Sequence, residues 1–205
     1  CEPRPPADDR PERRPKCSPG GYIVRSMGKV FDAIDPKLAE WMEAQPLWFV
    51  STAPLAEDGH VNVSPRGHDT FSVLGPNRVG WVDYTGSGVE TIAHLRENGR
   101  ICVMFTSFDG RPRIVRLHGT GTVLLPGDAG FDEVASRHAE NPSTRAVIAV
   151  DVTRISDSCG WGVPVMEVRD ERDLIRLHAE KKGPHGMAAY RAEKNAVSID
   201  GLPGL

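Results

Sequence analysis

Residues 84–91, Tyr-Thr-Gly-Ser-Gly-Val-Glu-Thr, set Thr85, Ser87 and Thr91 around Gly86 and Gly88, where the alternating run GWVDY gives way to the helical segment ETIAHLREN. A strand-to-helix corner of this composition offers an anion three things: the free N–H groups and positive dipole end of a helix, hydroxyl donors, and glycines that let a ligand approach the backbone. Ser87 and Glu90 also form an S-x-x-E capping box, so the helix is predicted to start at Ser87 and to stop at Gly99, with Ile92, Ala93 and Leu95 as its apolar face. Two readings stand at this point, a phosphate cradle and an ordinary turn whose serine caps the helix. Glu90 opposes an anion unless its carboxylate folds back onto the cap.

Other chemistry has weaker support in the spacing. The four cysteines, Cys1, Cys17, Cys102 and Cys159, include no C-x-x-C pair, and the seven histidines form no H-E-x-x-H or H-x-H, so no metal site is expected. Cys159 has no basic neighbour in sequence and reads as an inert thiol. There is no G-x-G-x-x-G after a strand and no G-x-x-x-x-G-K, so any nucleotide is held without the usual phosphate-loop markers.

The elements that would position the corner are legible in outline. The chain has 205 residues, 39% hydrophobic and 26% charged, which suits one globular domain with a sizeable core. A formal charge of -3 gives no reason to expect a nucleic acid or anionic membrane partner. Residues 1–26, rich in Pro, Arg and Asp, read as a disordered leader, and 27–205 as the single domain. In DPKLAEWMEAQ, Asp35 at the N-cap and Pro36 at the first helical position predict a helix. LWFVSTA (47–53) and HVNVSPR (60–66) are predicted to pair as a hairpin whose Asp58-Gly59 supplies tolerance for positive φ. Four further strands are read at 78–84, 100–108, 112–125 and 144–156, with a helix at 131–140 and two late helices at 170–183 and 186–195. Strands so numerous, with so few helices between them, do not make a doubly wound parallel sheet. A mainly β fold with appended helices is expected, an antiparallel split barrel of six strands or more.

At the level of family, VDYTGSGVETIAHLRENGRICVMF resembles the pyridoxamine 5'-phosphate oxidase superfamily of FMN-binding split barrels. In that superfamily a strand ending in Tyr-Thr is followed by a short helix with an Asn shortly before its end and then by a core strand. VNVSPRG, RPRIVRLHGTG, CGWGVPVMEV and KNAVSIDGLPGL extend the likeness over nearly everything after Met27. The resemblance implies that Tyr84 and Thr85 contact the flavin and its phosphate, with Gly86, Ser87 and Thr91 at the phosphate corner. Thr91 stands where the vitamin-forming oxidases have a phosphate-binding Lys, so another cation must serve. Arg66, at the end of its strand beside Ser64, matches the family's basic residue. Arg116 shares a strand face with Ile114, which falls at a flavin-contacting Gln. Trp161 matches a residue near the ring or at a subunit seam; core packing is its other reading. Arg176-Leu177-His178 is similar to the oxidases' pyridoxine-phosphate motif but lies inside a predicted helix and is not carried over.

The function so implied is that of an FMN-dependent oxidoreductase of a small-molecule substrate; its electron donor is unassigned, with NADH and NADPH as the candidates. Its catalytic residues are unassigned, and the missing pyridoxine-phosphate residues argue against synthesis of pyridoxal phosphate. The alternatives are a deazaflavin-dependent reductase and a non-enzymatic flavin or haem binder, for which His60, His68, His94 and His118 are available as axial ligands. A homodimer in the cytoplasm is expected, with the C-terminal segment 196–205 docked at the seam close to the flavin.

Overall fold

A computed structural model describes residues 28–205; the expected leader and the domain's first residue lie outside the described residues. Its elements are β1 (Val30–Phe31), α1 (Pro36–Glu43), β2 (Trp48–Thr52), β3 (Asn62–Arg66), β4 (Phe71–Gly75), β5 (Arg78–Tyr84), α2 (Glu90–Asn98), β6 (Arg100–Thr106), β7 (Ile114–Leu124), α3 (Phe131–Ala135), β8 (Thr144–Ser158) and α4 (Leu174–Lys194). The strands form one eight-stranded sheet in the order β3-β2-β6-β7-β8-β5-β4, with β1 on β8 and every pairing antiparallel. β3 and β4 end this hydrogen-bonded path without pairing to each other, so the sheet is not closed. The expected mainly β, antiparallel architecture is what the chain forms, with two strands more than the six read from sequence.

The sheet nonetheless curls around its own core. The Trp48 ring on β2 lies 5.2 Å from Trp81 on β5, 5.4 Å from Phe71 on β4 and 5.8 Å from Phe105 on β6, although β2 and β5 are four places apart in the sheet order. The register sorts side chains onto two faces. Trp48, Arg66, Phe105 and Val115 align on the inner face, while Phe49, Pro65, Met104 and Arg116 align on the outer. Helix α1 seals one end of the core through buried Leu38 and Met42, its start fixed by the Asp35 carboxylate, which accepts from the Leu38 N–H at 2.7 Å.

Several local expectations are corrected. Helix α2 starts at Glu90 rather than Ser87: Val89 occupies the N-cap and no side chain caps the helix. The other end is as read, with Gly99 left-handed at φ 70. Residues 67–77, where no strand was read from the sequence, contain β4, which pairs Phe71 with Trp81 and Val73 with Val79. Gly59 does not adopt positive φ. It is needed because a Cβ there would strike the Pro54 ring. β3 begins at Asn62 because the Asp200 carboxylate accepts from the His60 N–H at 2.8 Å and meets its imidazole at 2.6 Å, holding residue 60 out of the ladder. The helix expected at 131–140 ends at Ala135. The two late helices run together as α4, broken at Gly183 (φ 68, ψ 174) ahead of Pro184.

After α4 the chain turns back. Gly201, at φ 77, makes the turn read from Asp200-Gly201, Val197 bridges to Pro203, and the N–H groups of Gly204 and Leu205 donate to Ala196 and Asn195. Arg96 donates to the Gly204 carbonyl, so the tail docks on α2 of its own chain. Trp48 is the hub on which these layers converge, and Trp48→Ala should lower stability by about 3–5 kcal/mol, the usual range for an aromatic core deletion. The shift of the urea unfolding midpoint measures it; a loss below about 1 kcal/mol would show that the aromatic cluster is dispensable.

Candidate functional site

The corner between β5 and α2 is built around one carboxylate. Asp83 is an inward residue of the most buried part of β5 and has no exposed surface. Such a charge persists only when paired. Arg145, at the start of β8, donates its Nε to Asp83 Oδ2 at 2.7 Å. Arg66, at the end of β3, brings Nη1 to 2.9 Å from Oδ1, an ion-pair contact that lacks the alignment of a hydrogen bond. Two guanidinium groups thus share one carboxylate and leave one positive charge over. The Arg145 side chain is 3% exposed and the Arg66 side chain 18%, so the surplus reaches solvent through Arg66. Arg66 Nε is itself buried without a partner among the described residues.

Arg145 also organises the turn. Its Nη1 donates to the carbonyls of Gly88 (2.8 Å) and Asn195 Oδ1 (2.9 Å), and Asn195 Nδ2 donates to Gly86 O at 3.0 Å. Val89 is buried against Gly204, where a Cβ would strike it. These ties hold residues 86–89 out of the helix, which is why α2 starts after the serine. Glu90 folds back over Gly88, close enough to exclude a Cβ there. Thr85 donates its hydroxyl to Ser143 O at 2.8 Å and accepts from Arg191 at 3.4 Å. Gly86 and Ser87 are exposed at the tip of the corner.

A second network underlies the helix. Ser64 donates to Asn62 Oδ1 at 3.0 Å, and Asn62 Nδ2 donates to Thr91 Oγ1 at 3.0 Å and Thr52 Oγ1 at 3.2 Å. Thr52 in turn lies 3.0 Å from Nδ1 of His94, which is fully buried and whose Nε2 has no partner among the described residues. Burial holds the His94 imidazole below its ordinary pKa, against the opposing pull of Asp200, Glu90 and Glu97.

The structure therefore gathers Ser64, Arg66, Tyr84, Thr85, Gly86, Ser87 and Thr91 around one corner. Arg116 is elsewhere, on the outer face of the sheet with Nη1 donating to Ser158 at 2.9 Å, and Trp161 is 64% exposed on the loop after β8. Gly160 approaches the backbone at Arg113 too closely for a Cβ (2.9 Å) and is followed by this outward Trp161, so core packing is not its role in this chain. The four histidines do not converge: His60 pairs with Asp200, His68 with Glu171, His94 lies inside, and His118 belongs to the outer face.

Residues 34–159 match the family model described as pyridoxamine 5'-phosphate oxidase. The pyridoxamine 5'-phosphate oxidase family protein ustO of Aspergillus flavus is 40% identical over 192 residues, spanning 85% of this chain and 77% of that protein. The chain belongs to the pyridoxamine 5'-phosphate oxidase family. Among solved structures, HupZ of Group A Streptococcus is similar at 20% identity and a TM-score of 0.48, over 60% of this chain and 91% of that one. An FMN-binding protein of Syntrophomonas wolfei is similar at 18% identity and a TM-score of 0.44, over 66% and 91%.

Asp83, Arg145, Asn62 and Asn195 were not singled out from sequence. The one available signal was a charge at an inward position of two apolar strands, RVGWVDY and TRAVIAV, since a buried acid on one strand requires a base on its neighbour. Asp83→Asn should cost about 3–5 kcal/mol of stability, because it leaves Arg145 buried without a counter-charge. A urea midpoint unchanged from the native chain would contradict the pairing. His94 gives a pH dependence of defined sign. Its folded pKa is depressed, so its contribution is complete above the ordinary value near about 6.5 and is lost as pH falls through it. Unfolding between pH 8 and 5 should show a smaller decline for His94→Gln than for the native chain; equal slopes would remove His94 as the cause.

Proposed function

We propose that the corner holds the phosphate of FMN and that the chain is a flavin-dependent oxidoreductase acting on a small molecule. The observation that carries this reading is the surplus guanidinium charge at Asp83, with the buried Nε of Arg66, unpartnered among the described residues, beside the start of α2. An anion there would complete the charge balance that Asp83 begins, and the donors fit a phosphate: a planar guanidinium, the exposed backbone at Gly86 and Ser87, and the helix dipole. Membership of the pyridoxamine 5'-phosphate oxidase family supports FMN as the group that brings the phosphate. When bound, the flavin supplies hydride and electron transfer, with NADH or NADPH as the donor.

The chain's own residues then have separable tasks. Arg66 binds the phosphate, Arg145 and Asn195 hold the corner's carbonyls away from it, and the Asn62 network fixes Ser64 against Thr91. β3 is an edge strand, so one side of its backbone is open to hydrogen-bond a flat polar ligand edge. The outer face carries half-buried Phe49 and Met104 with exposed Val63 and Pro65, a surface suited to a second copy of the chain. A homodimer formed there would cover Arg116, which shares this outer face with Met104.

Arg66→Ala should weaken FMN at least several-fold and leave riboflavin, which has no phosphate, almost unchanged. Titration of both ligands checks this, and equal losses would sink the assignment. Light scattering of the flavin-loaded protein should give twice the chain mass at micromolar concentration, and a monomer with flavin bound would refute the dimer. Reduction of the bound flavin by NADH or NADPH separates an oxidoreductase from a passive binder.

A further inference from the structure

Beside the corner lies an open recess of about 520 Å³ between the end of β3 and the loop that follows β8. Its walls include Leu47, Phe108, Met166 and Val168, and Glu167, Asp170, Glu171 and Arg172 line its rim. The loop is seated, since the Met166 N–H donates to Phe108 O at 2.9 Å. His68 joins the recess to the corner. It is the one non-glycine residue with positive φ (60) among those described, fixed by a turn in which Thr70 N–H donates to His68 O (3.0 Å) and the Thr70 hydroxyl to Gly67 O (3.1 Å). Its ring lies 6.2 Å from that of Tyr84, the residue before Thr85, and its Nδ1 lies 3.1 Å from Glu171 Oε2.

The partner of Nδ1 decides what the other nitrogen can do. A carboxylate only accepts hydrogen bonds, so Nδ1 carries the proton and Nε2 of the neutral ring presents a lone pair. Three acids against one arginine give the rim a net negative charge, and four apolar side chains give the walls no preference for polar atoms. We infer that this recess binds an apolar molecule bearing an ammonium group, with His68 Nε2 accepting a hydrogen bond from it and Glu171 positioning the imidazole. Aromatic or branched carboxylates of the same shape meet the rim's charge and are excluded. The inference rests on the flavin reading only for the ligand's place as substrate; binding in the recess does not depend on it.

The experiment follows the ¹³C-methyl resonance of Met166 in the full chain, with and without bound flavin, during titration with phenethylamine, 2-phenylethanol or phenylacetate. Phenethylamine should shift the resonance and bind at least tenfold more tightly than phenylacetate, with the alcohol between. His68→Gln and Glu171→Gln should each shrink that ratio at least threefold while Met166 still senses the ligand. Equal binding of the amine and the carboxylate, or no shift with any of the three, overturns the inference from the native protein alone, whether or not the variants fold. Amine binding that persists in a protein without affinity for FMN leaves the recess standing and removes the flavin reading. Flavin binding without amine selectivity does the reverse.

Discussion

A carboxylate with no access to water is the constraint from which the rest of this corner follows. Asp83 cannot stay charged inside the curled sheet alone, because the loss of hydration is worth several kcal/mol and is offset only by close cations. Arg145 meets that demand from β8 and, having spare donors, also takes the carbonyl of Gly88 and the side chain of Asn195. Asn195 then reaches Gly86, and the segment after it closes over Val89. One buried acid thereby fixes a turn, a helix start and the path of the chain's last ten residues. The arrangement is asymmetric: Arg145 makes three hydrogen bonds, whereas Arg66 has one nitrogen against Asp83 and a buried Nε without a partner among the described residues.

The sheet separates two kinds of work by the direction in which its side chains point. Inner positions of β2 and β3 carry the polar ladder from Ser64 to His94 beneath α2, next to an aromatic cluster that excludes water. Outer positions carry Phe49, Met104 and Arg116, which touch none of the corner. Residues that sequence likeness assigns to one flavin site thus occupy opposite faces of a single chain.

How far this was legible in the sequence depends on whether the information was local. Asp35-Pro36 and Gly99 named helix ends correctly because their caps are made within a turn of the chain. The alternation in LWFVSTA, RICVMFTSF and PRIVRLHGTGTVLL named strands for the same reason, each within two residues of the observed ends. Ser87 misled because the competing partners of its turn, Arg145 and Asn195, lie more than fifty residues away and outweigh a local box. FSVLG was missed because its strand character comes from Trp81 and Val79 on the neighbouring strand and not from strict alternation. The family likeness pointed to Arg66, Tyr84 and Thr85, which lie at this corner, but was silent on Asp83, whose place is visible only once β3 and β8 are seen to flank it in space.

Strand β8 has a consequence for how the protein is made. It pairs with β7 on one side and with β5 and β1 on the other, and it is the last strand of the sheet to leave the ribosome. Until residue 158 has emerged, β5 has only the short hairpin with β4, and the meander from β2 to β7 ends in an uncovered edge. A nascent chain in that state exposes Trp81, Val79 and Leu117, side chains that the finished molecule hides completely. Closure of the core therefore waits on β8, and the nascent chain that still lacks it is the species that most needs a chaperone.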